Sequence, residues 1–237
     1  MANEFPQIWF DTFLAPDNAS PVDRELAFIQ AHLPVASFRR LLDVPCGIGR
    51  HAGPLASLGY EVVGVDRSEA ALSVATSLYP GVEFRRLDML ALDALEGASF
   101  DAVLCLWQSF GFGDSNENRK ILDAMGRALR PGGRLLMDIY NSDAVDQLPS
   151  DSVETRNGRE VRTRRARAGR RLRVELEYAG ATTVDVHDWE IYRPSEFEKL
   201  ANLVGLHVRV SCAWFDATIP PSEDHLRMQF LLERPVV

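Results

Sequence analysis

From Leu41 onward, short apolar runs alternate with stretches whose apolar positions recur every three to four residues. Runs such as Leu41-Leu42-Asp43-Val44 and Val62-Val63-Gly64-Val65 have too few polar positions for half-exposed strands, so they predict strands covered on both faces. Strands are expected near 41–44, 61–66, 82–87, 100–106 and 134–139. Helices are expected near 50–58, 68–78, 115–129 and 195–205, the last capped by Ser195 after Pro194. Such alternation makes an α/β fold, a mostly parallel sheet with helices on both faces in a three-layer sandwich.

Residues 1–37 read as helical and could fold over the site as a lid segment. Phe5, Ile8, Trp9, Phe10 and Phe13 form an aromatic first stretch, residues 17–21 interrupt it, and Leu26, Ile29 and Leu33 restore helical spacing up to Pro34. Between 152 and 192 the period falls to two, with turn signals at Asn157-Gly158 and Ala168-Gly169. Two hairpins or a small antiparallel sheet are expected there. Leu206–Trp214 and Leu226–Glu233 read as closing strands. No repeat or linker divides the 237 residues, so one domain spanning 1–237 is expected.

The first strand runs into Asp43-Val44-Pro45-Cys46-Gly47-Ile48-Gly49-Arg50, and the second ends on Asp66. Strand, glycine turn, helix and a strand ending in a carboxylate make a unit that holds a ribose-containing cofactor. Glycines let the ligand approach the backbone, and the acid accepts hydrogen bonds from sugar hydroxyls. Gly47-Ile48-Gly49-Arg50-His51-Ala52 also satisfies the dinucleotide pattern. Three features pull away from a dinucleotide: Asp43 inside the first strand, Asp88 ending the third, and Pro131-Gly132-Gly133 ahead of the strand 134–139.

At these residues the chain resembles the class I S-adenosylmethionine-dependent methyltransferases of the small-molecule type, over residues 38–140. The resemblance implies a seven-stranded sheet whose last strand is antiparallel. Segment 152–192 would then be a β insertion between strands five and six, on the substrate side. It implies S-adenosyl-L-methionine as cofactor, with Cys46, Gly47 and Gly49 passing close to its methionine portion and Arg50 bonding the carboxylate. Asp66 would bind both ribose hydroxyls, Arg67 would lie beside the adenine, Asp88 would accept from the adenine amino group, and the Met89 backbone would read the ring edge. Leu106 and Trp107 would present carbonyls to the ammonium, and Asp43 completes the set. The family's loop has a further glycine where this chain has Pro45. Ordinary roles remain open: a tight turn for the glycines, a helix cap for Asp66, loop bonding for Asp43, a solvated helix position for Arg50, core for Trp107.

A net charge of −8 argues against non-specific nucleic-acid binding. The three cysteines show no metal-ligand spacing, and reduced thiols in a cytoplasmic protein are expected. No apolar run reaches membrane-spanning length, and the first residues lack the regions of a signal peptide. Nine arginines fall between Arg156 and Arg173. They read as a solvated hairpin face with cross-strand ion pairs, or as a docking surface for an anionic substrate, a carrier protein or the second subunit of a homodimer.

The expected partner is a small-molecule acceptor. Trp9, Phe10, Gln108, Phe112, Tyr140 and Tyr192 are candidate acceptor contacts, and His187 is the candidate base. A sulfonium donor is already activated, so alignment and exclusion of water should supply most of the rate, without a metal. Two rivals stand beside N- or O-methylation of a metabolite, amino sugar or natural product. One is an NAD(P)-dependent oxidoreductase, which leaves Asp43, Asp88 and the Pro-Gly-Gly turn unexplained. The other is a catalytically silent relative that binds only cofactor or a partner.

Overall fold

The apolar runs pair side by side as β1 (Arg40–Asp43), β2 (Glu61–Asp66), β3 (Glu83–Arg86), β4 (Phe100–Cys105) and β5 (Leu129–Tyr140). The structure, a computed structural model, describes residues 5–13, 20–95 and 100–236. With β10 (His207–Cys212) and β11 (Arg227–Glu233) these strands form a seven-stranded sheet in the order β10-β11-β5-β4-β1-β2-β3. The pairs among β1 to β5 are parallel, while β11 runs antiparallel to both neighbours. Strand order reverses between β1 and β4, and at such a switch point the carboxyl ends open a crevice for ligand.

Helices α5 (Ser115–Ala128) and α7 (Pro194–Leu203) cover one face, packing Ile121, Leu122, Met125 and Phe197 against Val103, Leu135 and Phe230. Helices α2 (Ser20–His32) and α3 (Ala52–Ser57) cover the other, packing Phe28, Ile29 and Leu55 against Leu41, Leu104 and Leu136. The buried faces carry the two cores, and α4 (Glu69–Leu78) follows β2 with Ser68 accepting the Ala71 N–H as its cap. No helix among the described residues is long and apolar enough to cross a membrane.

Three local expectations are corrected. Pro131-Gly132-Gly133 does not precede the fifth strand but bulges inside it: Phe100 pairs with Leu129 and Ala102 with Arg134, so four residues oppose Asp101 alone. A Cβ on Gly133 would come within 3.0 Å of two backbone carbonyls, so position 133 of the bulge accepts only glycine. Helix α7 starts one residue early, with Pro194 in its first position and the Glu196 carboxylate accepting the Arg193 N–H at 2.9 Å. Pro21 belongs to the first turn of α2; the rest of the break, residues 17–19, lies outside the described residues.

The period-two segment forms a separate four-stranded antiparallel sheet, β6 (Asp151–Arg156), β7 (Arg159–Ala168), β8 (Arg171–Tyr178) and β9 (Val184–Glu190). Asn157 and Gly158 turn the first hairpin with positive φ at both residues. One face buries Val161, Leu172, Val174, Leu176, Tyr178 and Trp189, against which Ile8, Trp9 and Phe13 of α1 (Gln7–Phe13) pack. The other face carries an ion-pair lattice: Arg162–Asp151, Arg164–Glu177, Arg171–Asp188 and Arg173–Glu175. Arg156, Arg167 and Arg170 also pair, with Glu154, Asp146 and Glu190. Most of the arginine run is thus answered within the chain.

Candidate active site

The loop after β1 crosses the carboxyl end of β2. Cys46 N–H bonds Val65 C=O at 2.8 Å, and Gly49 N–H bonds Cys46 C=O at 2.9 Å. Gly47 has φ +53°, and a Cβ there would meet nothing within 4 Å, so the loop turns its bare side to open space. Gly49 (φ +79°) is different: its Cβ would stand 3.0 Å from the Phe84 ring and 3.1 Å from Tyr79, packed beneath the loop. Asp66 fastens the loop, its Oδ2 accepting the Gly47 N–H at 2.9 Å and its Oδ1 the Ser68 N–H at 2.8 Å. Burial raises its pKa against the pull of those N–H groups and of Arg67, which is exposed beside it.

Asp43 is fully enclosed. Its carboxyl bonds the Ala52 N–H, while Oδ2 is buried without a hydrogen-bond partner. Burial pushes its pKa up to about 7, Asp66 adding to the rise and Arg50 opposing it. Helix α3 begins only at Ala52, so Arg50 lies in the turn before it. Two residues past β3, Asp88 is exposed; its Oδ1 accepts the Leu90 N–H at 2.9 Å and opens a 3-10 turn, Met89–Ala94. Leu87 N–H bonds Asp66 C=O at 3.0 Å, so Asp88, which does not end β3 but follows it by two residues, comes just after the chain passes the end of β2.

Sequence reading missed the ionic cluster behind this rim. Glu25 of α2 accepts from Arg50 Nη2 at 2.8 Å, lies 2.5 Å from His51 Nε2, and accepts from Trp107 Nε1 at 2.8 Å. Burial alone would raise its pKa, but the His51 bond and the charges of His51, Arg50 and Arg227 hold it well below the usual carboxylate range. Asp138, completely buried in β5, accepts from Trp107 N–H at 3.0 Å, Gln108 Nε2 at 3.1 Å, Gln229 Nε2 at 2.8 Å, and the Arg227 guanidinium. The Arg50 guanidinium stacks 3.7 Å from the Trp107 ring centroid, with Arg227 at 5.3 Å. A signal existed: Glu25 shares the α2 stripe of Phe28, Ile29 and Leu33, where a carboxylate is out of place unless paired.

Leu106 is buried at the end of β4, and Trp107 and Gln108 follow with φ of +58° and +54°. Consecutive non-glycine residues in the left-handed region cost energy and persist only where neighbours hold them. Here Asp138 does so, since its backbone C=O also accepts the Gln108 N–H at 3.0 Å.

The insertion leans on this segment. Trp189 Nε1 donates to Gln108 C=O at 2.9 Å, and the Trp189 ring lies 5.4 Å from Phe112 and 5.3 Å from Tyr140. His187 stands two residues along the same face of β9, stacked on Phe5 at 4.7 Å, and Trp9 meets Phe5 edge-on at 4.7 Å. Phe10 contacts Trp9 at 5.4 Å. Burial lowers the His187 pKa to about 4, leaving the ring neutral at pH 7 and a weak proton acceptor. Tyr192 is not brought to the cleft. It is buried between Phe110 and Phe197, with its hydroxyl on Glu190 at 2.7 Å.

The sequence profile described as a methyltransferase domain matches residues 41–133, from β1 through the Pro-Gly-Gly bulge. Over the whole chain, the fold is that of a SAM-bound amino pentose methyltransferase, CalS10 of Micromonospora echinaspora, with TM-score 0.74, 25% identity and 99% of each chain covered. Residues 41–133 thus carry a methyltransferase domain, and the fold of the whole chain is that of the class I S-adenosylmethionine-dependent methyltransferases. An S-adenosylmethionine-dependent methyltransferase of Clostridium acetobutylicum shares the fold at TM-score 0.80 and 17% identity, covering 97% of each chain. Among curated relatives of this family, a ubiquinone biosynthesis O-methyltransferase of Alkalilimnicola ehrlichii is 30% identical over 176 residues, 72% of this chain and 62% of that protein. Glycine N-methyltransferase of Mus musculus is 34% identical over 122 residues, 45% of this chain and 42% of that protein. The chain spans 42–63% of the length of the first curated relatives it matches.

Proposed function

We propose that the chain binds S-adenosyl-L-methionine across the carboxyl ends of β1, β2, β3 and β4 and methylates a small-molecule acceptor. The observation that carries this reading is the buried, unbonded Oδ2 of Asp43 at the end of β1, four residues before Gly47, whose bare side faces open space. A cationic ammonium and a close-lying methionine chain suit those two features together. A dinucleotide's pyrophosphate would instead set negative charge against Asp43.

Asp66 keeps lone pairs on both oxygens after holding Gly47 and Ser68, and these accept the ribose hydroxyls. Asp88, an exposed carboxylate, accepts from the adenine amino group beside Met89, and Arg67 flanks the ring. Arg50 retains donors beyond its Glu25 bond for the methionine carboxylate, and the Leu106–Trp107 backbone meets the ammonium. Bound there, the cofactor supplies a methyl group activated on a sulfonium. The residues of the chain align the acceptor and keep water away, and positioning is the main catalytic contribution. Phe112, Tyr140 and Trp189, packed on one another, form the aromatic flank on which the acceptor is placed. The relatives named for glycine and an amino pentose act on small-molecule acceptors.

Calorimetry distinguishes this from the nicotinamide reading. S-adenosylmethionine and its demethylated product should bind, reduced nicotinamide dinucleotide should not, and Asp66→Ala should weaken binding by about 1–3 kcal/mol. Binding of the dinucleotide in place of S-adenosylmethionine would overturn the proposal.

A further inference from the structure

Arg50 and Trp107 serve the two polar groups of the methionine portion in the reading above, the one its carboxylate and the other its ammonium. They are also in contact, the Arg50 guanidinium lying 3.7 Å from the centroid of the Trp107 ring. A single side chain holds both. Glu25 of α2 accepts from Arg50 Nη2 with one oxygen and from Trp107 Nε1 with the other, each at 2.8 Å. His51 Nε2 lies 2.5 Å from the first oxygen and Arg227 Nη2 3.5 Å from the second. The Glu25 side chain is 2% exposed, so water does not compete for these bonds.

Helix α2 does not need this carboxylate in order to dock. Phe28, Ile29 and Leu33 already bury its inner stripe against the sheet. Replacing a buried ion pair by apolar residues of similar volume is often neutral or stabilising, so packing alone gives no reason for a glutamate here. Its partners share one location instead. Arg50 and His51 lie in the loop between β1 and α3, Trp107 follows β4 directly, and Arg227 opens β11 opposite Tyr140 at the end of β5. All four stand at the carboxyl rim of the parallel strands, where the cofactor is placed. Trp107 is moreover held in the left-handed region at φ +58°, a conformation that persists only under constraint.

What Glu25 leaves free is as informative as what it binds. Arg50 gives Nη2 to Glu25, while Nε and Nη1 take no hydrogen-bond partner among the described residues, and its side chain is 18% exposed. The carboxylate and ammonium of an amino acid hang from one carbon. A site for both must therefore keep a cation and a set of acceptors at one fixed spacing.

We infer that Glu25 is a positioning residue for the amino-acid end of the cofactor, locking the Arg50 guanidinium against Trp107. Through that lock the protein takes S-adenosylmethionine and S-adenosylhomocysteine in preference to nucleosides that share only the adenosine half. Glu25 touches no ligand atom itself. The adenosine half is assigned to Asp66 and Asp88, whose hydrogen bonds go to their own loops and not to Glu25. The inference rests on the methyltransferase reading.

The test is calorimetry on the full chain with two ligands. S-adenosylhomocysteine carries the amino-acid end; 5′-methylthioadenosine keeps the adenosine and the sulfur and lacks it. Glu25→Gln keeps the size of the side chain and gives up its charge. It should lose roughly tenfold or more in affinity for S-adenosylhomocysteine and bind methylthioadenosine as wild type does. Both ligands are measured on one preparation, so a fraction of unfolded protein lowers both stoichiometries together and leaves the comparison intact. Trp107→Phe, which removes only the indole N–H that Glu25 holds, decides the matter should Glu25→Gln fail to fold. Its loss should be about threefold, again for S-adenosylhomocysteine alone. Equal losses for the two ligands, or unchanged S-adenosylhomocysteine affinity in a folded variant, would reduce Glu25 to a support of the fold and overturn the inference. Wild-type protein that binds neither ligand would overturn the methyltransferase reading first, and this inference with it.

Discussion

Asp43 ends β1 with one oxygen bonded to the helix that follows and the other bonded to nothing. An aspartate in the unfolded chain titrates near 3.9, whereas burial holds this one at about 7 in the folded chain. Between those values the folded protein keeps a proton that the unfolded chain has released. Stability attributable to Asp43 is therefore present at low pH and lost as pH rises from about 4 to about 7. Asp43→Asn should flatten that part of the profile. Urea unfolding of the cofactor-free protein at pH 5 and pH 7.5 should show a smaller difference for the variant than for wild type. An equal difference would place the unbonded oxygen's burden elsewhere. Gly47, Asp66 and Asp88 were legible at this scale because each is a residue type demanded by its own loop: a positive φ at Gly47, and acids at or just past strand ends.

Helix α2 shows where local pattern stops being informative. Its apolar stripe placed Phe28, Ile29 and Leu33 against the sheet, and the strands β1 to β4 fall within about two residues of expectation because period and length are local properties. The partners of Glu25 are another matter. Arg50 and His51 come from the loop before α3, Trp107 from the end of β4, and Arg227 from β11, 202 residues away along the chain. No periodicity encodes that meeting; it follows from the sheet order, which brings β11 beside β5 and β4 beside β1. The same distance effect hid the true place of Tyr192, expected as an acceptor contact yet packed on Phe197 of α7. Glu25→Ala would leave two guanidinium groups and an indole N–H without their shared acceptor in a closed site. A loss of about 3–5 kcal/mol is expected in urea denaturation, well above a surface ion pair. A loss below about 1 kcal/mol would mean that solvent or Asp138 takes over the arginines.

At the scale of the molecule, the question is how a four-stranded sheet stays fixed to a seven-stranded one. Glu190, at the end of β9, is the joint. Its carboxylate accepts from Ser115 Oγ at 2.5 Å and Asn118 Nδ2 at 2.8 Å, both on α5, from the Tyr192 hydroxyl at 2.7 Å, and pairs with Arg170 at 2.7 Å. Its backbone N–H bonds Gly111 C=O at 2.7 Å, and Arg171 adds a bond to Gly113 C=O at 2.6 Å. Two of these partners, Gly111 and Gly113, sit on the segment from Phe110 to Gly113 that follows β4, and two more, Ser115 and Asn118, open the helix after it, so the joint ties β9 to the edge of the parallel core. The ion pairs of the outer face do not share this duty, since both ends of each lie within the four-stranded sheet. Glu190→Ala removes the acceptor for two buried donors, Asn118 Nδ2 and the Tyr192 hydroxyl, besides those of Ser115 and Arg170, and should cost about 3–5 kcal/mol. The loss should be local before it is global. Native-state hydrogen exchange should show amides of β7 and β8 losing protection while those of β1, β4 and β5 keep theirs, because the insertion can part from α5 without disturbing the parallel core. A uniform loss across both sheets would mean that the two fold as a single cooperative unit and that Glu190 is no hinge between them.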